Sequence, residues 1–152
     1  MIINLNKTEG LKFKKIESSK EFQKEKNISF DLNFWKVNKN KILKNNNNNN
    51  IGIIINSDQS LNDVIEHLKL FKMICINFLT FKDGRPFTLA RKLRELYNYN
   101  ELIRASGHIL PDQSVFLIRS GFNSFEIEDT QLDYWEEFIK NDVGLYYQKV
   151  YI

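Results

Sequence analysis

Residues 51–81, IGIIINSDQSLNDVIEHLKLFKMICINFLTF, hold two apolar runs rich in β-branched residues on either side of a helical pattern, and their reading decides the fold class. IGIIIN is a continuous apolar run of the kind that is buried on both faces of a sheet. Ser57 to Ser60 form a turn and cap, after which Leu61, Val64, Ile65 and Leu68 recur at helical spacing. MICINFLTF is the second strand. A strand, a helix and a further strand joined by short connections imply parallel pairing with the helix laid over the sheet.

The same rhythm continues downstream. DGRP precedes a predicted helix from about Phe87 to Tyr97, with Leu89, Leu93 and Leu96 on one side and Arg91, Lys92 and Arg94 on the other. LIRA is a third strand followed by the loop SGHILPD, and a helix from about Asp112 to Ser120 is closed by Gly121. SFEI is a fourth strand, with a final helix over Leu132 to Val143. Four consecutive strand–helix units predict an α/β fold, a parallel sheet flanked by helices that is either open or half of a (β/α)₈ barrel.

Upstream the pattern is weaker. DLNFWKVNKNKILK, Asp31 to Lys44, reads as a helix capped by Asp31, with Leu32, Trp35 and Leu43 on its apolar face. The Asn45–Asn50 run has no apolar face and reads as an exposed loop. Residues 1–30 carry the short apolar patterns MIINL and LKFKKI, which read as short strands or peripheral coil, and are expected to form a short irregular N-terminal extension to a single α/β domain over 31–152.

Composition excludes several classes. The 152 residues include 12 Phe and are 42% hydrophobic, enough for one packed core. A net charge of +3, from 22 basic and 19 acidic residues, is too small and too mixed for a nucleic-acid binder. Cys75 is the only cysteine, so an intrachain disulfide or a cysteine-built zinc or iron–sulfur site cannot form; within MICINF it reads as a small core residue. No apolar run approaches a membrane span and no secretory signal pattern is present, which leads to the expectation of a cytoplasmic protein.

In a parallel α/β sheet the carboxyl ends of the strands share one edge, and ligands bind in the loops there. The second strand delivers Asp83, Gly84 and Arg85 to that edge. The third delivers Ser106, Gly107 and His108 with Asp112 and Gln113 close behind, and the fourth delivers Glu126, Glu128 and Asp129. His108 and Asp83 are the candidate acid–base pair, and Arg85, Arg104, Asp112, Gln113 and Glu126 the candidate ligand- or anion-binding set. Each has a structural reading as well: Asp83 as an Asp-Gly turn former, Arg85 as a carbonyl cap or partner of Glu126, Asp112 as a helix N-cap.

The stretch Asp83 to Ile127, DGRPFTLARKLRELYNYNELIRASGHILPDQSVFLIRSGFNSFEI, resembles the signature of a bacterial family of uncharacterised proteins, domain of unknown function family 934, whose members typically read DGRGYS, ARLLRERYG, ELRA, DQ and RCGFDAFE. The likeness extends more weakly upstream, where Asp31 to Trp35 is similar to the family's PLALWLA stretch. Such genes often lie beside those for sulfite reductase and carry oxidoreductase labels, so the resemblance implies a place in sulfite reduction. Three departures matter here. Pro86 stands where the family has Gly, which fixes φ and removes an N–H donor; Ser120 replaces a Cys and Asn123 an Asp.

A redox enzyme must hold electrons or bind something that does, usually through a Gly-rich phosphate loop, a CxxC pair, or haem and cluster ligands. None of these patterns occurs, and no cofactor is expected. Two functions from different classes remain. The first is an accessory protein of assimilatory sulfite reduction that binds sulfite reductase, its electron donor or a small anion. The second is a small enzyme with His108 as acid or base, Arg85 clamping an anion and Asp83 orienting one of them. A half-barrel that completes itself by homo-oligomerisation is a third, structural possibility.

Overall fold

A computed structural model describes residues 1–5, 12–18, 21–22, 25–44 and 50–142. In chain order the elements are β1 (Ile2–Asn4), β2 (Lys14–Lys15), β3 (Asn27–Asp31), α1 (Leu32–Lys44), β4 (Asn50–Asn56), α2 (Asn62–Ile65), β5 (Phe71–Phe78), α3 (Arg85–Glu95), β6 (Leu102–Gly107), α4 (Ser114–Arg119), β7 (Ser124–Glu126) and α5 (Leu132–Asp142), with 3₁₀ turns at Leu68–Leu70, Pro111–Gln113 and Asp129–Gln131. Among the described residues there is one open sheet of seven strands in the order β1-β7-β6-β5-β4-β3-β2, curled like half a barrel. Every pairing is parallel except that of β1 with β7.

The mixed α/β class agrees with the sequence reading, but the count of four strand–helix units is not confirmed. The alternation already starts at β3 and α1. The residues ISF of β3 are too short a run to show a period, yet Ile28 and Phe30 are fully buried beside Ile51 and Ile53 of β4. Among the described residues upstream of Asp31, β1 and β2 form the two edges of the sheet and β3 is an inner strand. Asn50, read as loop, opens β4; Asn45 to Asn49 and Val143 lie outside the described residues.

Strand neighbours that follow chain order, joined by crossovers of one hand, place all helices on one face. The core shows this directly. Ile53, Ile55, Ile74, Ile76, Ile103, Ala105 and Phe125 form one cluster with Trp35 of α1, Val64 of α2, Leu93 of α3, Leu117 of α4 and Trp135 of α5. The opposite face carries a second cluster of Met73, Cys75 and Leu102, packed against Phe13 and Ile54 and free of helical residues. Gly52 makes this possible, since a Cβ there would lie 2.6 Å from Met73 Cε and 3.2 Å from Phe13 Cδ1.

Several helix faces differ from expectation. Asp31 does cap α1, its Oδ1 accepting from the Phe34 amide at 2.8 Å, but Ile42 rather than Leu43 faces the core. The pattern Leu61 to Leu68 yields only the short α2 followed by a 3₁₀ turn, with His67 between them and edge-on to Trp35. After α3 Leu96 is exposed, whereas Arg94 within it is buried, because its guanidinium is needed by three carbonyls of two loops.

Candidate functional site

The carboxyl ends of β5, β6 and β7 do meet in a cleft, of about 500 Å³. Two strand ends are tied first: Asn77 Nδ2, at the end of β5, donates to Asn56 Oδ1 at the end of β4, at 2.9 Å. Gly107 ends β6 with φ +80°, and a Cβ there would fall 2.4 Å from Asn77 Oδ1 and 2.5 Å from the Phe78 carbonyl. Only glycine lets the β6 loop turn this closely over β5. The His108 amide then donates to the Phe78 carbonyl at 3.0 Å, which fixes where the imidazole starts. Gln113 closes the loop from the far side, accepting from the Leu110 amide at 3.1 Å and donating to the Phe81 carbonyl at 2.9 Å.

The cleft is lined by Asn77, Ser106, His108, Glu126, Glu128 and Gln131 as polar groups and by Phe81, Ile109, Leu110 and Ile127 as apolar ones. Among the described residues its fixed charges are two carboxylates, and no Lys or Arg lines it. Phe81 and Leu110 are 49% and 40% exposed at its edge. Behind the floor lies a buried polar row. Cys75 Sγ donates to Ser106 Oγ at 3.2 Å, and burial pushes the thiol up to about 11, so it stays protonated at neutral pH and is no nucleophile. Arg104, 3% exposed, pairs in register with Cys75 and Ser124 and donates from Nε to Ser124 Oγ at 3.0 Å. Burial draws its affinity for protons down, against the opposing pull of Cys75 and Glu126.

The candidate residues therefore separate. His108 and Glu126 come together in the cleft as expected, and Glu128 joins them. Arg104 sits one row behind, enclosed rather than on the rim. Asp83 and Arg85 pair with one another, Arg85 Nη2 to Asp83 Oδ2 at 2.7 Å and Nε to Oδ1 at 2.9 Å, with the Arg85 amide also on Oδ1 at 3.1 Å. Hydrogen bonds from Arg85, then from Ser57, hold the Asp83 carboxyl well below the usual carboxylate range. Neither residue lines the cleft; Arg85 borders a separate groove of about 340 Å³ with Ser57, Thr88 and Lys92. The expected convergence of Asp83 and Arg85 with His108 and Glu126 thus gives way to a local clasp, because two residues of spacing let the guanidinium fold back onto the carboxylate.

Asp112 is exposed in the 3₁₀ turn and does not line the cleft, and the capping role there falls to Gln113 rather than to Asp112. Asp129 pairs with the Met1 ammonium at 2.7 Å. Asn56, Asn77, Phe81 and Gln131 were not among the candidates. For the two asparagines a signal existed, since both IGIIIN and MICIN end an apolar run on Asn, which is unusual inside a sheet unless the side chains pair. Among the described residues no group of three His, Cys, Asp or Glu could hold a metal ion, and no helix is long and apolar enough to cross a membrane.

No curated protein and no solved structure matches the chain. One family does: the sequence profile described as a bacterial protein of unknown function, DUF934, matches residues 52–151, which runs from Gly52 within β4 through α5 and includes every residue that lines the cleft. The upstream likeness at Asp31 to Trp35 lies outside that match. With about two thirds of its length matched, the chain belongs to this bacterial family of proteins of unknown function.

Proposed function

We propose that this chain is a cytoplasmic accessory protein of assimilatory sulfite reduction, which docks sulfite reductase or its electron donor at the carboxyl-end cleft. The pathway is carried by the family resemblance alone. The binding role is supported by one observation: a polar floor of Asn77, Ser106, His108 and Glu126 surrounded by exposed Phe81 and Leu110. Large apolar side chains held in solvent at the edge of a cleft are what protein interfaces use as anchors. The anion reading draws less support at this place, because the cleft carries carboxylates and Arg85 is engaged by Asp83 elsewhere.

Association of the purified chain with sulfite reductase and with its electron donor, measured by interferometry, tests the proposal. Wild type binds, and Phe81→Ala with Leu110→Ala weakens binding by about tenfold or more while the circular dichroism spectrum is unchanged. If neither component binds wild type, the proposal fails. A second reading, an acid–base enzyme of the same pathway, is favoured by His108 and Glu126 lining one cleft. A deletion strain rescued as well by His108→Ala as by wild type removes it.

A further inference from the structure

We propose that the cleft receives a cationic side chain, an arginine or lysine on an exposed segment of the docking partner. The inference rests on the docking reading above and adds the chemistry of the occupant. Glu126 stands at the end of β7 and Glu128 two residues on, so two exposed carboxylates enter the cleft from one side. Ser106, with the Asn77 and Gln131 amides, adds acceptors. Phe81, Ile109, Leu110 and Ile127 supply apolar wall between that acid and the rim. A long aliphatic stem ending in a cation fits such a sequence of surfaces, with the stem against the wall and the head on the carboxylates. Phe81 itself already faces an ammonium: Lys82 Nζ lies 5.6 Å from the ring centroid.

Three cations stand near the cleft: Arg104, Lys82 and the Met1 ammonium, which is held on the Ile127 carbonyl at 2.7 Å and paired with Asp129 at 2.7 Å. Arg104 lies behind Glu126, but it is enclosed, its Nε donates to Ser124 and it does not line the cleft. Lys82 is on a turn at the edge, where a larger ligand displaces it into solvent.

The test titrates the full chain, labelled with ¹⁵N, with a blocked glycine pentapeptide carrying a central arginine, and in parallel with its neutral citrulline counterpart. Binding of the arginine peptide that shifts the amides of Asn77, Ser106 to Leu110 and Glu126 to Gln131, and that weakens about tenfold in Glu126→Gln with Glu128→Gln, supports the inference. Absence of shifts, equal binding of the citrulline peptide, or equal binding to the double variant overturns it. The isosteric amides keep packing unchanged, and a melting curve matching wild type verifies the fold. Reductase or donor association distinguishes the two proposals: partner binding indifferent to Glu126→Gln with Glu128→Gln, with no peptide binding, sinks the cationic occupant and leaves docking intact. Peptide binding without any partner association does the reverse.

Discussion

Replacing Arg94 tests whether one buried guanidinium fixes the loops that enter β6 and β7, at the sheet edge opposite the cleft. Its Nε donates to the Gly121 carbonyl at 2.9 Å, and its Nη1 donates to the carbonyls of Tyr99 and of Glu101, the latter at 2.9 Å. It thereby joins the end of α3 to the chain entering β6 and to the turn entering β7, where Gly121 has φ +105°. Burial draws the Arg94 group down to about 10, still charged at neutral pH. Hydrogen bonds from a charged donor contribute about 1.5–3 kcal/mol each. Desolvation of the cation offsets part of this, so Arg94→Ala is expected to lose about 3 kcal/mol in all. With a urea m-value of about 2 kcal/mol/M, the midpoint falls by about 1.5 M. Arg94→Lys keeps the charge, but a single ammonium cannot span carbonyls from both β6 and β7 entries, and it recovers less than half of the loss. Arg94→Met, which fills space without donors, separates the polar contribution from packing. A loss below about 1 kcal/mol for Ala, or a Lys variant equal to wild type, would refute the assignment.

Three further outcomes follow from the same geometry. Asp83 has a native pKa below its unfolded value, so its contribution is present above about pH 4 and lost as pH falls through the native value; Asp83→Asn lowers the urea midpoint at neutral pH and flattens its acid dependence. Gly107→Ala places a Cβ against Asn77 Oδ1 and the Phe78 carbonyl at positive φ, and calorimetry should show a loss of more than about 1 kcal/mol with shifted His108 and Asn77 resonances. Phe13→Ala removes the ring over Met73 and Cys75, which lowers stability by about 2 kcal/mol and speeds labelling of the Cys75 thiol by more than about tenfold; unchanged labelling means that Phe13 does not cover this face.

The strands that were legible are those long enough to show a run. IGIIIN and MICINF announce β4 and β5 because both faces are apolar, one under the helices and the other under Phe13. β3 escaped because three buried residues, Ile28, Ser29 and Phe30, are too few for any period, while β2 lies in LKFKKI, where two exposed residues leave short strand and peripheral coil equally open. Their place is fixed by pairing, which sequence does not show: Asn27 meets Asn50 and their side chains bond at 2.8 Å. Arg94 misled for a related reason. Helical spacing put it beside Lys92 on a solvent face, and nothing local reveals that carbonyls from two other loops require its donors.

The loops that the sequence assigns to the carboxyl edge of the sheet do line a cleft there, but sequence does not show which polar groups are spent in building it. Asp83 has Arg85 and Ser57 on its carboxylate, Gln113 uses its oxygen and its nitrogen to bridge two loops, and Asn123 Oδ1 accepts from the Ile103 amide at 2.8 Å. Each of these belongs to a stretch that resembles the family signature, so a signature motif here marks loop construction as much as chemistry. His108, Glu126 and Glu128 differ. Among the described residues no hydrogen bond or ion pair engages their side chains, and all three line the same cleft. A polar group whose donors and acceptors are satisfied within the chain has little left for a ligand, whereas one kept unsatisfied at the strand ends retains its full capacity. That difference depends on three-dimensional partners several strands apart, and it is why the rim residues read from the sequence divide into Asp83, Arg85, Arg104 and Gln113, whose polar groups are engaged within the chain, and His108, Glu126 and Glu128, whose side chains are left to the cleft.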